Sequence, residues 1–493
     1  MARQQHPDVL APSEGGKRRS TRYWIGVLLV LTLLSEETAY AYNLVTPALP
    51  HMAAALGTSD IVWVTTLFSL VGGVTVPLIG KLGDIYGKKR VLLTTIVVMA
   101  LGSLIVATAS SLAFVLVGRA LEGVAISIVP LAYSIMRDIF PRRLVAIGVS
   151  VATSGIGLTG ILAPIIAGFL IDHFTYRGVF FFLAAFPLVL GVLVLFVVPE
   201  SPVRIRSSVD WGGALLLGVS IALLLTAATQ GATWGWGSMP TLGCIGAGVV
   251  IFAGWVVFEK RVRNPLVDID LARRKPLMTT MIAQFVAQGV IAAQSVLLVY
   301  VVQVPRAAGG DYGLGRDASG LAWFTSPGSV ISMLMGFSVG FIANRRGARN
   351  PLVAGFCFAI VGSALLATMH AQSWQVLLGW FVFAVGGGML NAAIPNLVVA
   401  AVPPEQQAVS AGAVGVVGSL GAAVIVQIVF VILGSHVRTV VSGTPIYSGT
   451  GFTWGYAFGG VMCAAGLAAA IAMRHGRRSM AESVEQVAAA PAH

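Results

Sequence analysis

Apolar runs of about 20 residues recur along this chain from Trp24 to Met473, and nothing else in the sequence constrains its fold as tightly. A helix rises 1.5 Å per residue, so each run is long enough to cross about 30 Å of hydrocarbon. In that medium every backbone N–H and C=O must be paired within the structure. Only 10% of the residues are charged and 57% are hydrophobic; a soluble chain carries about 25% charged residues. Glycine and proline, 58 and 22 of them, sit within such runs and point to helices packed closely in lipid. The chain reads as fourteen spans, roughly 24–49, 61–80, 91–109, 112–136, 144–171, 178–198, 211–230, 241–258, 277–304, 319–343, 351–369, 374–402, 407–434 and 454–473.

The charges are distributed by side rather than by patch. Alternating loops place 26 of the 31 Lys and Arg residues on the side of both termini. Arg177, Arg306, Arg316 and Arg438 fall on the other side, and Arg119 lies inside a span. This is the positive-inside pattern, and it puts both termini in the cytoplasm with an even number of crossings. It argues against a nucleic-acid surface despite the net charge of +12. The first run is too long for the core of a cleaved leader, and thirteen more follow. Cys244, Cys357 and Cys463 lie far apart within spans, which gives neither a disulfide framework nor a metal spacing. Arg outnumbers Lys 25 to 6, compatible with a high-GC bacterium and hence with its inner membrane.

Residues 1–23 and 474–493 read as polar cytoplasmic ends, expected to be disordered. Residues 24–198 hold six spans, 199–275 hold a charged linker with two spans, and 276–473 hold six more. The turn Gly80-Lys81-Leu82-Gly83-Asp84-Ile85-Tyr86-Gly87-Lys88-Lys89-Arg90 returns in degraded form at 340–349, with Asn344 for the aspartate. A basic glycine turn at matching points of two halves suggests duplication, with the working site between the halves. Gly80 and Gly87 allow the tight turn, and Asp84 would be stabilised by a helix N-terminus or an arginine.

Charges inside spans are costly and should face the bundle interior. Arg119 and Glu122, spaced i, i+3, share one helix face. Glu36 and Glu37 lie near the middle of the first span, where two adjacent carboxylates cannot both ionise cheaply. That property suits a proton carrier. Thr32, Glu36, Tyr40, Asn43 and Pro47 form a polar helical stripe that favours Glu36. Which of Glu36, Glu37 and Glu122 titrates stays open, and the bland alternative is that one glutamate merely neutralises Arg119. Gln284 and Gln288, one turn apart, and Asn391 could line a cavity with Tyr40 and Asn43, or tie helices together. Gly160, Pro164 and Gly168 lie in a small-residue segment with a proline kink.

With these motifs the chain resembles the major facilitator superfamily, and within it the fourteen-helix drug:proton antiporters. The resemblance implies an all-α polytopic membrane protein with two six-helix bundles plus two extra helices. Gly80, Leu82, Asp84, Gly87, Lys88 and Lys89 match the signature between helices 2 and 3, with Ile85 where the family has a basic residue. It implies that Gly80, Asp84, Gly87, Lys88, Lys89 and Arg90 form a conformational gate closing the cytoplasmic side. The segment around Arg119 resembles the helix-4 signature implicated in proton coupling, with Glu122 for the usual glutamine. Gly160, Pro164 and Gly168 resemble the antiporter signature of helix 5, with Ala163 and Ala167 for glycines. The family's helix-1 aspartate falls at Ala41, one turn beyond Glu37.

The expectation is a proton-coupled exporter of lipophilic, drug-like compounds working by alternating access as a monomer in lipid. The coupling ion is H⁺ and no cofactor is expected. The alternatives are a symporter or facilitator importing a small solute, and a lipid-handling protein on the same fold. No Gly-x-x-x-x-Gly-Lys-Ser/Thr loop is present for a primary pump, and no hydrolytic triad or membrane-enzyme motif is evident.

Overall fold

The computed structural model describes residues 20–140, 142–204, 210–262, 274–306, 312–402, 407–441 and 444–477. The expectations for the extreme termini, for most of the basic loop 259–275 and for the Asn344 side chain fall outside the described residues. Among the described residues, thirteen segments are long and apolar enough to cross a membrane. One of them belongs to a 56-residue helical stretch, Arg142–Val197, that turns back on itself at Thr175 (φ 62°, ψ −179°). At 1.5 Å per residue it would otherwise run about 84 Å, far more than a bilayer accommodates. It supplies two crossings, and the total is fourteen.

The first crossing is built from α1 (Thr21–Ser35), α2 (Glu37–Asn43) and α3 (Val45–Leu56). Its two interruptions have local causes. Ser35 Oγ donates back to the Leu31 carbonyl (2.8 Å), which competes with the helix ladder just before Glu36. Thr46 Oγ1 does the same to Tyr42 (2.7 Å), and Pro47 lacks an N–H. The next crossings are α4 (Trp63–Tyr86) and α5 (Lys88–Thr108). The fourth is also broken: α6 (Leu112–Glu122) passes through a 3-10 turn, Gly123–Ser127, into α7 (Ile128–Ile139). The first bundle closes with α8 (Arg142–Val197).

The extra hairpin is α9 (Trp211–Trp234) and α10 (Met239–Glu259). Asp210 accepts from the Gly213 N–H (2.8 Å) to start α9, and Gly235 at φ 91° ends it. α9 packs on helices of both bundles, whereas α10 leaves most of its surface exposed, as expected of a lipid-facing helix. The second bundle comprises α11 (Lys275–Gln303), α12 (Ala318–Arg346), α13 (Arg349–Thr368), α14 (Ser373–Ala401), α15 (Gln407–Gly434) and α16 (Gly449–Ala472). A short antiparallel ribbon, β1 (Val437–Val441) with β2 (Thr444–Tyr447), joins α15 to α16; hydropathy gave no sign of it. Beyond α16, His475 is half-buried against α11 and shares a hydrogen bond with Thr280 Oγ1 (3.1 Å). Burial pushes its imidazole down to about 4.

Lys88, Lys89, Arg90, Arg137, Arg345, Arg346, Arg474 and Arg477 gather at one end of the molecule, the basic end. Arg177, Arg306, Arg316 and Arg438 mark the opposite end. The bundles meet along α4 against α15 and α8 against α12. Thr66 Oγ1 donates to Gln427 Oε1 (3.0 Å), and Ser326 Oγ donates to the Ile161 carbonyl (3.0 Å). These contacts lie toward the end opposite the basic one. Toward the basic end, a Cβ at Gly336 would meet only Gly388 and Ala392 of its own bundle among the described residues, and at Gly340, Gly412 or Gly415 it would meet none of them within 4 Å. The side chains of 142–158 and 403–409, which belong to this end, fall outside the described residues.

Candidate functional site

The breaks in the first and fourth crossings lie against each other, where Thr38 Oγ1 of α2 donates to the Ala125 carbonyl in the 3-10 turn (2.9 Å). The four intramembrane charges are grouped around this contact. Glu36 and Glu37 are about 100° apart on the helix and so point to different neighbours. Glu36, 4% exposed, accepts from Thr159 Oγ1 of α8 (2.6 Å). Glu37 is 0% exposed, and neither of its oxygens has a hydrogen-bond partner among the described residues.

Arg119 and Glu122 form a buried ion pair. Glu122 also accepts from Ser103 Oγ of α5. Arg119 Nε donates to the Val64 carbonyl of α4 (2.9 Å), and its guanidinium lies 4.4 Å from the Phe68 ring centroid. Tyr42 packs on the same ring (4.9 Å) and hydrogen-bonds Ser69 (2.8 Å). The residue that neutralises Arg119 is thus Glu122, not Glu36 or Glu37. Glu37 lies within electrostatic reach of Glu122. The site holds one cation, one carboxylate paired with it, and two carboxylates without a counter-ion among the described residues.

The polar residues expected to line a cavity divide by environment. Tyr40 is buried, edge-on to Phe182 (5.8 Å) and Phe186 (5.3 Å) of α8, so it packs within its bundle. Asn43, at the end of α2, and Asn391, within α14, are exposed in opposite bundles, and Asn43 Nδ2 donates to the Ala39 carbonyl one turn earlier on α2 (2.9 Å). Gln284 and Gln288 are half-buried on α11, with Gln284 against Gly418 of α15. Gln294 is interhelical: it is fully buried and donates to Ser363 Oγ (3.0 Å).

At the basic end the glycine turn is part of a larger network. Lys88, 2% exposed, reaches Asp138 (2.5 Å) and Asp84 (3.4 Å). Ser201 Oγ also donates to Asp138 (2.6 Å). The Glu200 carboxylate accepts from the backbone N–H groups of Lys89 (2.9 Å) and Arg90 (3.3 Å), capping α5. It can approach because Gly87, at φ 107°, has no Cβ; one there would stand 2.9 Å from Glu200 Oε2. Lys89 Nζ donates to the Leu195 carbonyl (2.8 Å). Sequence reasoning placed Glu200 in a linker and passed over Asp138 and Ser201. The available signal was an acid directly after a span, opposite a basic turn. Gly80 borders open space, and Arg90 is exposed. Gly160 and Gly168 of α8 face Ser329 and Ser319 of α12, while Pro164 is buried between them along the helix.

Known proteins share this sequence and architecture. The family model described as Major Facilitator Superfamily matches residues 38–426. The chain is 26% identical over 383 residues to "Multidrug resistance protein 3" of Bacillus subtilis (strain 168), covering 76% of this chain and 71% of that protein. It is 28% identical over 386 residues to the "Tetracenomycin C resistance and export protein" of Streptomyces glaucescens, covering 74% and 68%. Its fold superposes on a crystal structure of the peptide transporter POT in complex with sulfate, with a TM-score of 0.65, 14% identity and 94% of each chain covered. Two six-helix bundles meeting along a seam, together with the family match over residues 38–426, make this multi-pass membrane protein a transporter of the major facilitator superfamily.

Proposed function

We propose that the protein is a proton-coupled exporter that expels lipophilic, drug-like compounds from a bacterial cytoplasm by alternating access. The observation that carries the reading is Glu37, wholly buried with no hydrogen-bond donor to either oxygen among the described residues, beside an Arg119–Glu122 pair. An unpaired carboxylate in such a place costs about several kcal/mol, whereas the neutral acid carries no such penalty. Once Glu37 gives up its proton it competes with Glu122 for Arg119, the nearby cation on the fourth crossing. That competition pulls on the α2 and α6 breaks together, so protonation biases one arrangement of the bundles over the other. Glu36 is tied through Thr159 to α8, which forms one side of the seam.

The basic end faces the cytoplasm by the positive-inside rule, and with the seam's contacts at the other end this state would load substrate from inside. Asn43, Asn391, Gln284 and Gln288 would be sparse polar groups in an otherwise apolar cavity between the bundles, which would suit lipophilic compounds. The names of the two relatives point the same way. Each chain has its own seam and works as a monomer surrounded by lipid. H⁺ is the coupling ion, and no cofactor or nucleic acid takes part.

The test is dye or antibiotic efflux in vesicles under an imposed pH gradient. Glu37→Gln is expected to abolish pH-driven efflux while leaving a folded protein. Full pH-dependent efflux in a Glu36→Gln, Glu37→Gln double variant would sink the coupling reading. Accumulation driven by the gradient in the same direction as the protons would make the protein a symporter instead.

A further inference from the structure

The end of the seam opposite the basic one is held by a contact that the sequence motifs do not include. Asp172 lies at the outer tip of the first arm of α8. Its Oδ2 accepts from both the Ser319 backbone N–H (3.1 Å) and Ser319 Oγ (2.5 Å). Ser319 is the second residue of α12, so its N–H is one of the helix-start donors left without an intrahelical acceptor. A carboxylate from one bundle therefore sits on the positive end of a helix in the other. The approach depends on Gly168, one turn earlier on α8. A Cβ there would stand 2.5 Å from Ser319 Cα and 2.8 Å from its nitrogen. The other charged or titratable groups facing this point are His51 on α3, Asp317 and Arg316 at the start of α12, and His173 on α8 itself.

We propose that Asp172 is the outer latch of the transport cycle: its carboxylate, seated on the N-terminus of α12, stabilises the state closed at this end and must leave before this end can open. Where α8 and α12 lie apart, the carboxylate cannot reach Ser319, so the bond favours one state alone. A contact with differential strength between two states shifts their populations. The latch rests on the alternating-access reading, but its first test needs neither substrate nor a proton gradient.

Spin labels at Ser111→Cys and Ala371→Cys, exposed positions at the opposite ends of the two bundles, would report that opening in a background free of Cys244, Cys357 and Cys463. With Asp172 intact, a short distance should dominate. Asp172→Asn, which keeps the shape and removes the charge, should raise the long-distance population roughly 2- to 5-fold, the range of a charge at a helix end. Asp172→Ala should raise it further. A label pair within one bundle should not change, which separates a latch from general loosening. Unchanged distributions in both folded variants would overturn the proposal. A second route avoids fold sensitivity: a disulfide between Asp172→Cys and Ser319→Cys should stop efflux and release it on reduction. Undiminished efflux by the fully cross-linked protein would also overturn the latch. A protein that shows the Asp172 shift but never exports refutes the proposed function and leaves the latch standing.

Discussion

Removing Arg119 leaves the buried Glu122 carboxylate with Ser103 Oγ as its remaining donor among the described residues. Breaking one side of a buried pair costs about 3–5 kcal/mol, whereas replacing both sides with apolar residues of similar volume is often neutral. Arg119→Ala should therefore lower the thermal unfolding temperature sharply, and the paired change Arg119→Met, Glu122→Leu should recover most of it. If the pair also serves coupling, the recovered double variant should fold yet lose pH-driven efflux. A double variant that exports with the ordinary pH dependence would reduce the pair to a structural role. This site was legible in the sequence because charge is rare in apolar spans, so Glu36, Glu37, Arg119 and Glu122 stood out without a structure. Their partners were not legible. Thr159, Ser103 and the Val64 carbonyl are ordinary residues whose roles come only from which helix packs beside which.

Among the elements, the turn between α4 and α5 shows how a motif gains its stiffness from a distant segment. The α5 N-terminus begins with Lys88, Lys89 and Arg90, three cations where a helix favours anions. Glu200 offsets this by accepting two of the exposed N–H groups, and Lys88 is answered by Asp138 and Asp84. Glu200→Gln should destabilise the α5 start by about 0.5–2 kcal/mol, the scale of losing a helix cap. Hydrogen exchange of the Lys89 and Arg90 amides, compared with amides deeper in α5, would measure it. Unaltered protection at those two amides would show that Glu200 does not hold the α5 start. The glycine turn itself was readable because Gly80 and Gly87 punctuate a basic loop. The cap was not, since 110 residues separate Glu200 from Arg90. The helix breaks at Leu44 and Gly123–Ser127 were hidden for another reason: no charge or proline falls at those positions within the run.

For the whole molecule, the asymmetry of charge and the asymmetry of the seam lie on the same axis. Among the described residues, the contacts across the seam lie at the end opposite the one that gathers the lysines and arginines. Insertion holds basic loops in the cytoplasm, so that contact end should face outward. With that orientation, outward closure would keep Glu36 and Glu37 away from the external pH. Single cysteines in a cysteine-free background test the topology directly. Ser111→Cys and Gly237→Cys, at the opposite end, should react in intact spheroplasts with a maleimide that cannot cross the membrane. Arg204→Cys and Arg474→Cys, at the basic end, should react only after the membrane is opened. The reverse labelling would turn the transporter around and make the described state one that loads from outside. An exporter would then have to bind its cargo in the opposite state, and Asp172 would stand guard on the cytoplasmic side.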